Sequence, residues 1–366
     1  MCVGFASVAR NGVSYFQSAV GSALAGLSEA ERADLYLILF IAHTDPTEHP
    51  AYSEPWLHAL SDKVLLYDEK ELDIDHIRAL ETSEAKRLAL EKGLLDYTYL
   101  LKACQSANTS FSVIFEDDII ALDGWYHRTK QAVVAAERQT MEMGTAQYVN
   151  RKGLYLRLFY TEKFLGWNSE EWPSYLLYSL LSVSVVAVTT LSIRHYMPSL
   201  KPFMPNETIF AMSCICTPLL IILFFAAGRV TMLPIPDGVH DMPKFGCCSQ
   251  GFVFPNARMK DLVSWYESKG IGYVDMLTEE YADKHGDIRW ALTPSVIQHV
   301  GRRSSKTNNL LRPNNHRTMS EMLWNFRFEE NDASNLRMEH ERWEGDVSRS
   351  IHEFISINRR GHLPVD

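Results

Sequence analysis

Cysteine is scarce in this sequence, and the spacing of the few that occur excludes one common use. Six cysteines occur in 366 residues, none in a CxxC…CxxC or Cys/His arrangement of the kind that holds structural zinc. Two of them lie in an apolar run, where they behave as small hydrophobic residues. The other four lie in polar segments and could form two disulfides in an oxidising compartment. Because neighbouring cysteines do not easily bridge to each other, we expect Cys104 to pair with Cys247 or Cys248.

Positive charge is also in short supply. Lys and Arg number 36 against 45 Asp and Glu, which gives a net charge of −9. Nucleic-acid phosphates are bound by basic surfaces, so nucleic acid is excluded as the main partner. The sequence contains no GxGxxG fingerprint and no phosphate-loop lysine, which excludes the dinucleotide-binding and Walker motifs. The apolar run in Met1–Arg10 is too short to predict an N-terminal signal sequence.

Charge of either sign is missing from two long stretches in the middle of the chain. Residues 172–193 and 208–228 contain no charged side chain, and each stretch is long enough to cross a bilayer as a helix. Only Arg194 to Glu207 separates them, so both outer flanks must lie on the same side of a membrane. The alternative is a pair of buried core helices in a soluble enzyme. We predict a transmembrane hairpin, because buried apolar runs are usually shorter.

The segments on either side of this hairpin predict an α/β fold. Apolar strand-like runs alternate with helical periodicity, a pattern typical of parallel sheets covered by helices. The predicted strands are Val3–Val8, Leu35–Ala42, Lys63–Tyr67, Ser112–Ile120 and Phe252–Phe254. The predicted helices are Gly12–Leu27, Ile77–Ala107, Asn256–Ser268 and Asp275–Lys284. The polar tail contains a strand-like run at Leu323–Phe328 and a stretch, EHERWEGD, that predicts a solvated helix.

Three adjacent carboxylates are the sharpest chemical signal. Glu116, Asp117 and Asp118 follow the apolar residues SVIF and precede II, so they lie in a predicted strand with buried flanks. Burial of uncompensated charge is costly, and a bound Mg²⁺ or Mn²⁺ removes that cost. The competing interpretation is a solvated acidic turn, since acidic triplets are common on protein surfaces.

Other candidates for chemistry are less specific. His299, in TPSVIQHVG, is a metal ligand or an ordinary core histidine. Asp275, Glu279 and Glu280 could each act as a general base, or could lie on a solvated helix face. The small-residue segment Gly246–Gly251 precedes a strand and suits close approach of a ligand.

Three segments of the chain resemble one known family. LYLRLFYTEKFLGWNSEEWPSY, FSVIFEDDII and TPSVIQHVGRRSSK are similar to the post-GPI-attachment N-acetylgalactosamine transferases. These are Golgi glycosyltransferases of GT-A type with a transmembrane hairpin inserted into the catalytic domain. The EDD and QHVG elements are also similar to N-acetylglucosaminyltransferase IV enzymes. Members of the family usually begin with a further N-terminal membrane segment, whereas Met1 here lies almost at the first predicted strand.

The resemblance implies an architecture and a location. It implies a GT-A-like α/β fold with a mostly parallel sheet, helices on both faces and the hairpin as an interruption. It also implies a multi-pass membrane protein of the Golgi with a lumenal catalytic domain. The expected division is a catalytic domain in two parts (1–171 and 229–311), the hairpin (172–228) and a polar tail (312–366).

The resemblance also implies roles for individual residues. Glu116, Asp117 and Asp118 match a DXD-like motif that holds Mn²⁺ or Mg²⁺ against the diphosphate of a UDP-sugar, with His299 approaching the same ion. Asp275, with Glu279 as a second candidate, is expected to be the base. The residues expected to contact the nucleotide or its diphosphate are Arg10, His43, Asp45 and Lys306.

The function implied by the resemblance is a metal-dependent, inverting transfer. A hexose or N-acetylhexosamine would move from a UDP-sugar to a glycan or glycolipid acceptor, that of the GPI anchor, at a membrane surface. Two other classes of function remain open. One is a metal-dependent phosphoester hydrolase that uses the same carboxylates, and the other is a non-catalytic membrane scaffold that keeps the fold.

Overall fold

The architecture is taken from a computed structural model, in which the chain forms two compact units. One unit comprises Met1–Thr161 with Asp237–Asp366, and the other comprises Glu162–Pro236. The structure describes residues 1–10, 12–83, 85–147, 151–160, 171–228, 232–233, 235–242, 248–302 and 324–360. The predicted domain boundary at 311/312 lies outside these residues, and the other predicted boundaries stay predictions.

The first unit is built on an eight-stranded sheet. Its strands are β1 (Cys2–Ser7), β2 (Tyr36–Ile41), β3 (Lys63–Leu65), β4 (Phe111–Glu116), β6 (Gly153–Arg157), β7 (Gly238–Asp241), β8 (Gly251–Pro255) and β9 (Ile288–Thr293). They lie in the order β3-β2-β1-β4-β8-β6-β9-β7. The four strands β3, β2, β1 and β4 are mutually parallel, and β6 is parallel to β9. Strands β8 and β7 run antiparallel to their neighbours. β5 (Ile119–Ala121) and β10 (Ile297–His299) form a separate antiparallel pair.

Helices cover both faces of this sheet. They are α1 (Phe16–Leu24), α2 (Glu29–Asp34), α3 (Pro55–Leu60), α4 (Ile74–Glu81), α5 (Lys86–Ser106), α6 (Trp125–Gln147), α9 (Asn256–Lys269), α10 (Val274–His285), α11 (Phe326–Glu329) and α12 (Ala333–Arg360). Alternate residues of β2 explain why that strand is apolar throughout. Leu37 and Leu39 pack in one core with residues of α1 and α6, while Ile38 and Phe40 pack in the other with residues of α5 and α9. The predicted α/β fold with a mostly parallel sheet is confirmed.

The second unit contains the two uncharged stretches as helices. These are α7 (Trp172–Tyr196) and α8 (Asn206–Ala227), and each is long and apolar enough to cross a membrane. Tyr175 near the start of α7 lies 5.2 Å, ring centroid to ring centroid, from Phe225 near the end of α8, as expected of a hairpin. In an apolar stretch of 18 residues within each helix, only 6% of the residues are buried in α7 and 11% in α8. The alternative of buried core helices is therefore wrong for these segments.

Several local predictions are wrong because interactions between distant segments decide the outcome. The run predicted as one strand, Ser112–Ile120, is divided between β4 and β5 by a turn at Asp117 and Asp118. The run predicted as one helix, Ile77–Ala107, is divided between α4 and α5. In the strand-like run at Leu323–Phe328, of which Leu323 lies outside the described residues, the last three residues belong to α11 instead. EHERWEGD lies in α12, but it is not wholly solvated, because His340 within it is fully buried.

The predicted pairing of Cys104 is also wrong. Cys104 in α5 forms a disulfide with Cys2 in β1, and both residues are fully buried. The helix packs directly on this strand, with a Cα–Cα distance of 5.6 Å between the two cysteines, which is within the range a disulfide needs. Cys248 is disulfide-bonded as well, whereas Cys214 and Cys216 in α8 are free thiols.

Candidate functional site

The candidate site lies where the parallel strands β1, β2 and β4 end. Their carboxyl ends share one edge of the sheet, which is where ligands bind in folds of this kind. A cleft with a volume of about 230 Å³ lies at this edge. The polar residues and glycines that line it include Arg10, Glu116, Asp117, Asp118, Ser249, His299 and Gly301.

Two carboxylates and one imidazole converge in this cleft. Glu116, Asp118 and His299 each offer one potential ligand atom, and these atoms all lie within 4.8 Å of one another. The tight turn after β4 places the two carboxylates, and the pairing of β10 with β5 brings in the histidine. The backbone N–H of Val300 donates to the carbonyl oxygen of Asp118 over 2.9 Å, which holds the two segments in register.

Glu116 is oriented by the residues that precede β8. The hydroxyl of Ser249 donates to one of its carboxylate oxygens over 2.5 Å, and the amide of Gln250 donates to the other over 3.2 Å. The predicted close-approach segment Gly246–Gly251 therefore contacts the acidic triplet through its described residues.

The donor set fits a hard divalent cation. Asp118 and His299 are 6% and 8% exposed, and the Asp118 Oδ1 atom is buried without a hydrogen-bond partner among the described residues. A buried, unpartnered carboxylate oxygen is costly unless a cation or water satisfies it. Carboxylate oxygens with one imidazole suit Mn²⁺, and the carboxylates also suit Mg²⁺. Gly301 packs directly on Asp118, since a Cβ atom at position 301 would lie 1.9 Å from its Oδ2 atom.

The charges at the cleft perturb one another. Burial tends to raise the pKa of Asp118, but the nearby His299 and Arg10 outweigh it, so that the pKa lies below its ordinary value. Burial tends to lower the pKa of His299, but Asp118 and Glu116 outweigh it and the pKa is raised. Asp118 Oδ2 and His299 Nε2 lie 3.5 Å apart. The carboxylate of Asp118 and the imidazole of His299 therefore each favour the charged form of the other.

Asp117 points to different partners from its two neighbours. Its carboxylate accepts hydrogen bonds from Arg10 Nη1 and Nη2, over 2.7 Å and 2.6 Å, and from the hydroxyl of Ser7. The structure does not place it in the group formed by Glu116, Asp118 and His299. Its described partners make it the residue that holds Arg10 at the cleft.

Ser7 and His49 support this ion pair, and sequence reasoning missed both. His49 Nδ1 accepts the backbone N–H of Ala51 over 3.1 Å, so its proton lies on Nε2, which donates to Ser7 Oγ over 2.9 Å. Burial, with the nearby His43 and Arg10, lowers the pKa of His49 to about 4. His49 lies in a short polar segment with no regular spacing, which explains why no local pattern identified it.

The residues predicted to contact the nucleotide do not all lie at the cleft. Arg10 lines the cleft, whereas His43 and Asp45 are not among its described lining residues. His43 Nε2 accepts the backbone N–H of Ala9 over 2.9 Å. Asp45 is exposed and caps a short 3₁₀ turn through Thr47. Lys306 lies outside the described residues.

The three candidate bases have different surroundings. Asp275, in the first turn of α10, accepts the backbone N–H of Cys248 over 2.9 Å and lies next to the cleft residue Val274. Glu279 is buried in ion pairs with Arg157 and Arg289, at 3.1 Å and 2.5 Å. Glu280 is exposed and pairs with Lys269 over 2.8 Å. Only Asp275 lies beside the cleft with a carboxylate not committed to an ion pair among the described residues.

The chain matches one known protein family over most of its length. A family model described as GPI-N-acetylgalactosamine transferase PGAP4 matches residues 1–298. The match includes Glu116, Asp117 and Asp118 and ends just before His299. No curated protein matches the sequence significantly.

Proposed function

The chain belongs to the GPI-N-acetylgalactosamine transferase PGAP4 family, and we propose that it moves N-acetylgalactosamine from a UDP-sugar to the glycan of a GPI anchor. The observation that carries this proposal is the convergence of Glu116, Asp118 and His299 at the carboxyl edge of the sheet. In a glycosyltransferase this is the place and the chemistry for a metal that contacts a nucleotide diphosphate. The fold is GT-A-like in this proposal.

Mn²⁺, or Mg²⁺, would be held by Glu116, Asp118 and His299. When bound, the cation supplies Lewis-acid stabilisation of the negative charge that develops on the UDP leaving group. Ser249 and Gln250 fix the orientation of Glu116, and the absence of a side chain at Gly301 leaves room for the carboxylate of Asp118.

Arg10 supplies a second positive charge for the diphosphate. Asp117 binds its two terminal nitrogens, which leaves the guanidinium in one orientation with its side chain 5% exposed. The Arg10 Nε atom is buried and has no hydrogen-bond partner among the described residues. This N–H group is therefore free to donate to a phosphate oxygen at the cleft.

The transfer is a direct displacement at the anomeric carbon. A hydroxyl of the acceptor forms the new bond to this carbon as the bond to the UDP oxygen breaks, and UDP leaves with the electron pair. The hydroxyl proton passes to a carboxylate, for which Asp275 is the candidate beside the cleft. Glu279 is committed to Arg157, whose Nη1 donates to the carbonyl oxygen of Cys248 over 3.1 Å, so its role is to position the segment before β8.

The protein works at a membrane in this proposal. α7 and α8 form a membrane hairpin, and the enzyme is a multi-pass protein of the Golgi with its catalytic unit in the lumen. The buried disulfide between Cys2 and Cys104 supports an oxidising compartment. Anchoring by a hairpin suits a glycolipid acceptor, which is itself confined to the membrane.

Calorimetric binding of UDP-sugars to the purified full chain tests the donor site. We expect UDP-N-acetylgalactosamine to bind in the presence of Mn²⁺ and to lose most of its affinity without the metal or in Asp118→Ala. Asp261→Ala, which removes an exposed carboxylate on α9, is the matched control and should bind as the wild type does. Failure of the folded, Mn²⁺-loaded wild type to bind any UDP-sugar would overturn the proposal and favour the scaffold alternative.

A further inference from the structure

A second group of potential metal ligands lies away from the cleft, on three helices. Glu31 of α2, His127 of α6 and His340 of α12 each offer one ligand atom, and these atoms all lie within 4.8 Å of one another. The three residues are 8%, 1% and 0% exposed. His340 belongs to the polar tail, beyond the residues matched by the family.

Each histidine in this group is oriented by a carboxylate outside it. The Nδ1 atom of His340 donates to Asp123 over 2.7 Å, which turns its Nε2 atom toward Glu31, 2.8 Å away. The Nε2 atom of His127 lies 3.2 Å from a carboxylate oxygen of Glu339, which leaves the Nδ1 atom of His127 available as a metal ligand. Histidines that bind metals usually donate their second N–H to a carboxylate in this way.

Two buried atoms in the group have no partner among the described residues. One is the Nδ1 atom of His127 and the other is the Oε1 atom of Glu31. Unpartnered buried polar atoms are costly and are rare in folded proteins. Since each atom is of a metal-ligand type and belongs to a residue of the convergent group, a cation bound by this group could satisfy both of them.

We propose that Glu31, His127 and His340 supply three ligands to a Zn²⁺ ion that fastens α12 to α2 and α6, with the fourth position open to water. Two imidazoles and one carboxylate suit Zn²⁺, whereas Ca²⁺ and Mg²⁺ prefer oxygen ligands alone. The ion takes the place of the proton between His340 Nε2 and Glu31. Because this group joins α12 to α2 and α6, metal binding stabilises the described part of the polar tail in its folded position.

The test uses the full chain with an Asp118→Asn background, so that the candidate active-site metal does not contribute. The protein is stripped with a chelator and reloaded with Zn²⁺, and the bound metal is counted by mass spectrometry. We expect one bound equivalent, lost in both His340→Gln and Glu31→Gln. The matched control is His58→Gln, an exposed histidine on α3, and this variant should retain the ion.

Hydrogen exchange gives an independent measurement that needs no variant of the site. Zn²⁺ should slow amide exchange in residues 333–346 at least tenfold relative to the stripped protein, while α9 changes little. Equal Zn²⁺ stoichiometry in all variants, or exchange in α12 that does not respond to Zn²⁺, would overturn the proposal. The group would then be a network of hydrogen bonds only. If His340→Gln does not fold, Glu31→Gln and the exchange of the stripped and loaded parent decide the matter.

Discussion

At the scale of single residues, the candidate site depends on Gly301 as much as on its charged members. A Cβ atom at this position would overlap the carboxylate of Asp118, at 1.9 Å from Oδ2, so any side chain must push one of them away. The same oxygen also contacts Arg10 Nη2 at 3.3 Å and His299 Nε2 at 3.5 Å, so the carboxylate has little freedom to move. The glycine after the QHV element therefore keeps the proposed metal ligand in place.

Gly301→Ala should lower transfer activity roughly 100-fold, since displacements of about 1 Å at a reacting centre have effects of this size. Affinity for Mn²⁺, measured by calorimetry, should fall with it. Gly21→Ala is the matched control, because a Cβ atom there meets no atom within 4 Å. Wild-type activity in Gly301→Ala would contradict this placement of Asp118.

His49 makes a prediction about pH. Its pKa is about 4 in the folded protein and 6.5 as an ordinary value. Between these values the unfolded chain binds a proton that the folded protein does not, so stability should fall as the pH falls from about 6.5 to about 4. From pH 7 to pH 5, we expect a loss of about 2 kcal/mol in the free energy of unfolding from this residue.

The comparison with His49→Gln isolates this effect. Gln keeps an N–H donor for Ser7 but does not titrate, so its free energy of unfolding should fall by about 2 kcal/mol less than that of the wild type over the same pH range. Denaturant unfolding at both pH values measures the difference. Parallel pH profiles for the two proteins would show that His49 is not held neutral by the fold.

At the scale of elements, the segment before β8 connects the buried ion pairs to the acidic triplet. Arg157 of β6 donates to the carbonyl oxygen of Cys248, and Asp275 of α10 accepts the backbone N–H of the same cysteine. The next two residues, Ser249 and Gln250, donate to Glu116. Strand β6 and helix α10 thus fix the orientation of a carboxylate on β4.

Removal of one donor should weaken metal binding more than it weakens the fold. Ser249→Ala should lower the affinity for Mn²⁺ about 10- to 100-fold, the usual effect of losing a partner behind a metal ligand. The free energy of unfolding should fall by only about 1 kcal/mol. Ser268→Ala, an exposed serine at the end of α9, is the control for both measurements. An unchanged Mn²⁺ affinity would show that Glu116 needs no support from Ser249.

Helices and strands could be predicted from the sequence where the composition of one segment determines its structure. They could not be predicted where contacts between two distant segments determine it. The apolar run of β2 and the uncharged α7 and α8 follow directly from composition. The sequence pattern predicts Asp117 and Asp118 in a strand. The chain instead turns at these two residues, and β5, which follows the turn, pairs with the distant strand β10. The pairing of Cys104 with Cys2 and the burial of His340 depend on helix packing, which no local pattern encodes.

At the scale of the whole molecule, the chain combines an α/β unit with an apolar helical hairpin inserted in its sequence. The sheet is formed from segments on both sides of the hairpin, since β1 to β6 precede it and β7 to β10 follow it. Most of the apolar surface of α7 and α8 is exposed, which is unfavourable in water and favourable in lipid.

The hairpin makes a prediction about topology that does not depend on its orientation. Epitope tags at the two chain termini should show the same protease protection in sealed membrane vesicles. A tag inserted between Arg194 and Glu207 should show the opposite protection. Different protection at the two termini would contradict a hairpin and leave at most one of the helices as a membrane span.

Transfer of N-acetylgalactosamine to a GPI glycan by the purified full chain tests the central claim most directly. Product would be detected by mass spectrometry after incubation with UDP-N-acetylgalactosamine, the acceptor and Mn²⁺. We predict a product one N-acetylhexosamine heavier in the wild type and in Asp261→Asn, and a loss of at least 100-fold in Asp118→Asn. Undiminished transfer by Asp118→Asn, or no transfer by a folded wild type that binds Mn²⁺, would contradict a metal-dependent transferase at this cleft.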